Sequence, residues 1–161
     1  VDIVVEAFRV LGLPLKIFGD GVDLPRLKEL AAGAPNIEFL GRIGEARKAE
    51  LYSNCIAFIN PQEEDFGITA VEAMASGRPV IAYRKGGATE TIIENETGVF
   101  FDEQTSASLA AAVTKSKDLS FDPSRIRGHA EQFSTERFKR EIREAIGREY
   151  DRFTRSDEYI N

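Results

Sequence analysis

Apolar residues along this chain form short runs that alternate with amphipathic segments. Runs with the length of a buried strand lie at residues 15–18, 37–40, 55–60, 79–83 and 98–101. Between them, apolar positions recur with the spacing of one helix face, which predicts helices at 2–11, 24–32, 45–53 and 89–94 and one that begins near Phe66 or Gly67. Asp2 is expected to cap the first helix, because its carboxylate can accept a hydrogen bond from an unpaired amide.

Strands that alternate with short helices predict an α/β fold. We expect a Rossmann-like, three-layer αβα arrangement with a parallel sheet covered by helices on both faces. Ligands of such folds bind at the carboxyl ends of the strands. The loops expected at that edge are 19–22, 41–44, 62–66 and 84–88. One domain is predicted over residues 1–155, followed by a disordered tail at 156–161.

The last third of the chain is predicted to be helical. Thr105 or Ser106 begins a helix to about residue 115, Asp122 with Pro123 begins a second, and residues 134–137 begin a long third helix to about residue 153. Apolar residues spaced by four form one stripe on this third helix: Phe138, Ile142, Ile146 and Tyr150. The stripe is expected to pack on this domain, on another domain or on a neighbouring molecule.

Residues 61–80 carry the strongest functional signal. They are predicted to form the end of a strand, a polar loop, a helix and a second strand. At the helix start, the amides of Gly67, Ile68, Thr69 and Ala70 are expected to lack intrahelical partners, and the helix dipole adds roughly half a positive charge there. Such an end attracts phosphate, and Gly67 lets a ligand approach the backbone closely.

Two carboxylates flank this predicted anion site. Glu64 precedes the helix and Glu72 lies in its second turn, about 6 to 8 Å along the axis from the helix start. Carboxylates accept hydrogen bonds from sugar hydroxyls, so the pattern predicts a nucleotide-sugar site with Glu72 on a ribose and Glu64 on the transferred sugar. The alternative is that Glu64 is a solvated loop acid and that Glu72 only interacts favourably with the helix dipole, each contributing a few tenths of a kcal/mol.

Composition and charge exclude several classes of binding partner and of site. The 161 residues are 42% hydrophobic, enough for one full core, and the formal charge of -6 argues against non-specific binding of nucleic acid or of an anionic membrane. Cys55 is the one cysteine, which excludes an internal disulfide and a cysteine-based metal site. No metal-ligand spacing is present, and His129, in a polar segment, is expected at the surface. No apolar run has the length of a membrane span.

The motif Glu64-x7-Glu72 within EDFGITAVEAMASGRPVIA, followed by Gly86-Gly87-Ala-Thr-Glu90, resembles the donor-binding C-terminal half of a family 4 retaining glycosyltransferase with the GT-B fold. The resemblance continues through VDIVVEAF, FGDG, NIEFLG, ELYS and TGVFFD and spans roughly residues 1–115. Within that family, the sequence of this motif is similar to that of mannosyltransferases of surface polysaccharide assembly, with GDP-mannose as the donor.

The resemblance implies roles for particular residues. Glu64 would be the catalytic-centre acid that holds the transferred sugar, and Glu72 would bind the ribose. The backbone around Phe66, Gly67, Ile68 and Thr69 would contact the diphosphate. The resemblance also places base recognition at Arg42 and Ile43, although Arg42 could equally be a surface arginine. Gly19 and Gly21 are expected close to the nucleotide or its phosphates, or else serve only a tight turn.

The same resemblance implies the reaction and its partners. A hexose would move from a nucleotide diphosphate sugar to a glycan or lipid-linked acceptor without a metal or other cofactor, in a cytoplasmic protein that is peripheral to the inner face of the membrane. It also implies that the first strand, an arginine and a lysine for the diphosphate, and the acceptor-binding N-terminal domain lie upstream of Val1. This chain alone is therefore expected to be inactive. A non-catalytic nucleotide or sugar-phosphate module and a GT-B epimerase or hydrolase half remain as alternatives.

Overall fold

The computed structural model describes residues 1–157, with side chains through residue 154. The described strands are β1 (Leu15–Phe18), β2 (Ile37–Gly41), β3 (Phe58–Asn60), β4 (Val80–Tyr83) and β5 (Gly98–Phe101). The helices before the last strand are α1 (Asp2–Leu11), α2 (Leu24–Leu30), α3 (Glu45–Asn54), α4 (Ile68–Ala75) and α5 (Ala88–Thr91). After it come α6 (Ser106–Lys117), α7 (Pro123–Ala130), a 3₁₀ turn (Glu131–Phe133) and α8 (Thr135–Asp157).

The strands are parallel, as predicted, but they form two sheets instead of one continuous sheet. β1 pairs with β2, and β3, β4 and β5 pair in that order. In the described part of the chain, no hydrogen-bonded ladder joins β1 to β3. The α/β class and the parallel pairing are confirmed, and the pairing is divided between the two sheets.

A groove of about 340 Å³ separates the two sheets. Its walls include Ile17 of β1 and Ile59 of β3, and Val4 and Phe8 of α1 also line it. Each sheet therefore presents a strand edge with unused backbone donors and acceptors to the same groove. A strand that paired with both edges would join the two sheets into one.

Helices cover both faces of the three-stranded sheet. Successive residues of β4 point to opposite faces, so Val80 packs with Met74 in one core cluster and Ile81 packs with Leu109 in the other. Met74 is fully buried, and burial of such a side chain contributes about 1.5 to 3 kcal/mol. This arrangement gives the three predicted layers. No helix in the described region is long and apolar enough to cross a membrane.

Two predicted element starts and one predicted helix end are wrong. Val1, rather than Asp2, is the N-cap of α1, and Asp2 lies inside the first turn. β3 begins at Phe58 rather than at residue 55, because Cys55 still closes α3 through its amide and the first ladder bond runs from Phe58 to Pro79. The helix predicted at 89–94 ends at Thr91, since the chain then turns through Asn95 at a φ of 64°.

Helix α8 leaves its apolar stripe uncovered. Phe138, Ile146 and Tyr150 are 63–66% exposed and Ile142 is 42% exposed. Of the alternatives for this stripe, packing on its own domain is therefore not observed. The tail predicted to be disordered at 156–161 falls outside the described residues except for its first two positions, which continue the helix.

Candidate functional site

The start of α4 has the geometry expected of an anion site. Gly67 is its N-cap and has a φ of 83°, a left-handed conformation that a residue with a Cβ adopts only at a cost. In the described structure no partner accepts from the amides of Gly67, Ile68 and Thr69. The amide of Ala70, also predicted to be free, instead donates to the Gly67 carbonyl at 3.0 Å. Three amides remain available to a phosphate.

The loop that carries Glu64 is held by the turn at Gly86 and Gly87. The Gly87 amide donates to the Glu64 carbonyl at 2.8 Å, and a Cβ on Gly87 would lie only 2.5 Å from the Cα of Phe66. Gly86 is equally close to the Glu64 backbone and has a φ of 58°. Two glycines are therefore required here, because they let one loop lie directly on the other.

The Glu64 side chain lies beside the helix start. Its Oε2 atom is 3.6 Å from the position that a Cβ of Gly67 would occupy, and its Oε1 atom accepts from the Gln62 amide. Asn60, at the end of β3, has its Nδ2 atom 3.5 Å from the same position. Asn60 is buried and its Oδ1 atom has no partner in the described structure. Polar groups from the strand end and the loop thus meet at Gly67.

Glu72 lies in the second turn of α4 and interacts with α3. Lys48 Nζ lies 3.0 Å from Glu72 Oε1, and the Tyr52 hydroxyl lies 3.3 Å from Oε2. Lys48 also pairs with Glu45 at 2.9 Å. The Glu72 side chain remains 35% exposed, so a ligand can still reach it. The structure therefore places a supported, accessible carboxylate about one helical turn from the free amides.

The other predicted residues surround this centre unevenly. The Gly19 amide donates to the Gly41 carbonyl at 2.8 Å, which brings the Gly19 loop beside Arg42 and Ile43. Arg42 is exposed and Ile43 is half-buried. Gly21 lies farther along its loop, in a shallow pocket with Asp23 and Leu24. The structure thus joins the predicted loops in two pairs, the Gly19 loop to the Gly41 loop and the Glu64 loop to the Gly87 turn.

Phe66 has its backbone at the site but its ring elsewhere. The ring packs edge-on against Phe133 at a centroid distance of 5.8 Å, and Ile68 lies on the same side, 68% exposed. Thr69 faces the opposite side, into the groove between the sheets. Phe66 and Ile68 can therefore meet a ligand seated between Glu64 and Glu72 through their backbone but not through their side chains.

The family model for glycosyl transferases group 1 matches residues 1–133 of this chain. The chain belongs to this family. A GDP-mannose-dependent alpha-mannosyltransferase of Mycolicibacterium smegmatis is 39% identical over 116 residues, which cover 68% of this chain and 30% of the relative. The chain thus spans about a third of the length of the curated relatives it matches.

Solved structures show the same fold. A glycosyltransferase from Rickettsia africae superposes with a TM-score of 0.76 at 27% identity, over 89% of this chain and 42% of that protein. Anabaena HepE, solved in complex with UDP and glucose, superposes with a TM-score of 0.76 at 23% identity, over 90% of this chain and 44% of that protein. The likeness to HepE shows the fold alone.

Several residues around the candidate site were not predicted from the sequence. Lys48, Tyr52, Asn60 and Gln62 approach Glu72 or Glu64 from other elements. The spacing of Lys48 and Tyr52 by four is a signal that they share a helix face, but it does not show what that face meets. These neighbours depend on tertiary packing, so local patterns could not identify them.

His129 is less exposed than predicted. Its Nε2 atom lies 2.8 Å from the Thr91 carbonyl, and its ring packs edge-on against Phe133 at 5.5 Å. His129 is therefore a packing and hydrogen-bonding residue of α7 in this group 1 domain. Within residues 1–157, no group of three or more His, Cys, Asp and Glu residues is arranged to hold a metal ion.

Proposed function

We propose that this chain is the donor-binding half of a family 4 retaining glycosyltransferase. The complete enzyme transfers a hexose from a nucleotide diphosphate sugar to a glycan or lipid-linked acceptor. The observation that carries the proposal is the start of α4, where three free amides lie between Glu64 and Glu72. Membership of group 1 supports it independently.

Each chemical part of the donor has its own proposed contacts in this domain. Its diphosphate accepts hydrogen bonds from the amides of Gly67, Ile68 and Thr69 at the positive end of the helix. Its ribose hydroxyls donate to Glu72, and its hexose hydroxyls donate to Glu64. Arg42 and Ile43 lie at the loop assigned to the base, with Gly19 beside them and Gly21 farther along its own loop.

Catalysis at this half consists of leaving-group stabilisation. As the bond between the anomeric carbon and the diphosphate breaks, negative charge grows on the phosphate oxygens, and preorganised amides stabilise that charge more than they stabilise the ground state. Glu64 orients the sugar while an acceptor hydroxyl oxygen bonds to the anomeric carbon on the same face, and the hydroxyl proton passes to the departing phosphate oxygen. No metal is required for this step, because the helix end supplies the positive potential.

Mannose from GDP-mannose is the proposed donor sugar. Support comes from the Mycolicibacterium relative, whose description names GDP-mannose. The acceptor is bound by an N-terminal domain, and we place the complete enzyme in the cytoplasm at the inner face of the membrane, where a lipid-linked acceptor is available. This chain alone binds donor weakly and transfers nothing.

Calorimetry of this chain with GDP, UDP and ADP tests the proposal. We expect saturable binding with a preference for GDP and a clear loss of affinity in Glu72→Ala. Glu50→Ala, at an exposed position of α3, is the matched control and should bind as the wild type does. Saturable binding whose affinity is unchanged in Glu72→Ala would contradict the assigned ribose contact.

A non-catalytic binding module makes a different prediction for Glu64. In a protein that also contains the N-terminal half, Glu64→Gln should abolish most hexose transfer while nucleoside diphosphate binding is retained. A protein without transfer activity in either form, but with unchanged nucleotide binding, would favour the module.

A further inference from the structure

The Glu72 carboxylate is held from α3 on both of its oxygens. Lys48 donates to Oε1 at 3.0 Å and Tyr52 donates to Oε2 at 3.3 Å. The two donors are four residues apart on α3, so they reach Glu72 from one face of that helix. With both oxygens engaged, the carboxylate plane has little freedom to rotate.

Both donors are themselves fixed. Lys48 is 21% exposed and also pairs with Glu45, and the hydrogen bonds that it donates to Glu45 and then to Glu72 raise the pKa of its ammonium group. Tyr52 is buried, with its ring edge-on to Phe18 and Phe58 at 6.0 and 5.5 Å. Burial, followed by the charge of Glu72, raises the pKa of its hydroxyl. Near neutral pH both groups keep their protons and remain donors.

The remaining hydrogen-bonding capacity of Glu72 matches a vicinal diol. An ionised carboxylate offers about four lone-pair sites, two on each oxygen. One site on each oxygen is used by α3, which leaves one site on each. The 2′ and 3′ hydroxyls of a ribose supply two donors side by side, and 35% of the Glu72 side chain is open to them.

We infer that Lys48 and Tyr52 are positioning residues that aim the Glu72 carboxylate at the vicinal diol of a ribonucleotide. This inference rests on the proposed function and deepens it, because it assigns the discrimination between ribose and deoxyribose donors to α3. Neither residue needs to touch the ligand. Each acts by fixing the direction of the two lone pairs that the diol uses.

The test compares GDP, UDP and ADP with their 2′,3′-dideoxy forms by titration of this chain. For the wild type, the ribose form of the nucleotide that binds should bind about tenfold tighter, a difference of about 1.4 kcal/mol, because it makes hydrogen bonds to Glu72 that the dideoxy form lacks. Lys48→Met should reduce this preference about fivefold. Tyr52→Phe, which keeps the buried ring, should reduce it about twofold to threefold.

Arg47→Met is the matched control. It removes a neighbouring charge of α3 whose partner is Glu50 at 2.6 Å, and it should leave the ribose preference unchanged. Lys48→Arg should keep more of the preference than Lys48→Met does, because arginine retains a charged donor. The ratio of the two affinities is the informative quantity, since a merely structural defect would lower both affinities together.

The outcomes separate this inference from the proposed function. A wild type that prefers ribose, together with variants that keep the same ratio, would overturn the role of Lys48 and Tyr52 and leave the nucleotide site intact. A wild type that binds both sugar forms equally would overturn the inference, because Glu72 would then not bind the ribose hydroxyls. Absence of binding to all three nucleoside diphosphates would overturn the proposed function and the inference with it.

Discussion

Gly87→Ala tests whether the glycine turn holds the Glu64 loop. Gly87 has an ordinary helical backbone with a φ of -59°, so alanine adds no backbone strain and the effect is steric. The new methyl group would lie 2.5 Å from the Cα of Phe66, and carbon atoms are at their optimal separation at about 3.5 to 4.0 Å. The two loops must therefore separate by about 1 Å.

The cost of that separation follows from what surrounds it. Overpacking costs about 1 to 3 kcal/mol, and the value here should lie near the upper end because the obstacle is backbone rather than a flexible side chain. Gly86→Ala should cost more, since its φ of 58° adds about 1 to 2 kcal/mol of left-handed strain. Both changes also displace the loop that carries Glu64.

Equilibrium unfolding in urea, followed by circular dichroism, measures these costs. Gly128→Ala is the control, because it lies in α7 with open space around its Cβ position and should stabilise the helix by about 0.5 to 1 kcal/mol. If Gly87→Ala unfolds within about 0.5 kcal/mol of the wild type, the close approach of the two loops is not a constraint on the fold.

Three further outcomes are expected. A strand-length apolar extension with a short glycine loop, placed before Val1, should pair with β1 and β3 and raise the unfolding midpoint by about 4 °C or more, whereas the same extension containing two prolines should not. Arg84, by its hydrogen bonds, holds the pKa of Glu94 below its usual value of 4.5. Glu94 therefore stabilises the fold above about pH 4.5 and loses that contribution as pH falls. In Glu94→Gln, the decrease of the unfolding free energy on acidification should be smaller than in the wild type, by less than about 1 kcal/mol. Burial raises the pKa of the Cys55 thiol, so iodoacetamide at pH 8 should modify it more slowly than free cysteine, until urea exposes it.

Elements bounded by glycine or proline could be predicted from the sequence. The strands at 15–18 and 98–101 and the start of α4 at Gly67 are placed as expected, because short apolar runs between turn residues leave few alternatives. The shortened α5 was missed, since a turn in which the Thr97 hydroxyl accepts from the Ile93 amide competes with the helix there.

Contacts between distant segments could not be predicted from local patterns. Lys48 and Glu72 are 24 residues apart, and their pairing depends on how α3 packs beside α4. The division of the sheet was also missed, because alternation of strands and helices predicts parallel pairing but not the order of the strands. The roles of Glu64 and Glu72 as ligand contacts stay predictions.

Amide chemical shifts of α4 provide the most direct test of the central claim. In a titration of the ¹⁵N-labelled chain with GDP, UDP and ADP, the account predicts that Gly67, Ile68 and Thr69 shift together and saturate for the nucleotide that binds. The Ala70 amide, already bonded to Gly67, should shift less. Saturable shifts confined to other residues, or none at Gly67, Ile68 and Thr69 with any of the three nucleotides, would contradict a diphosphate site at the start of α4.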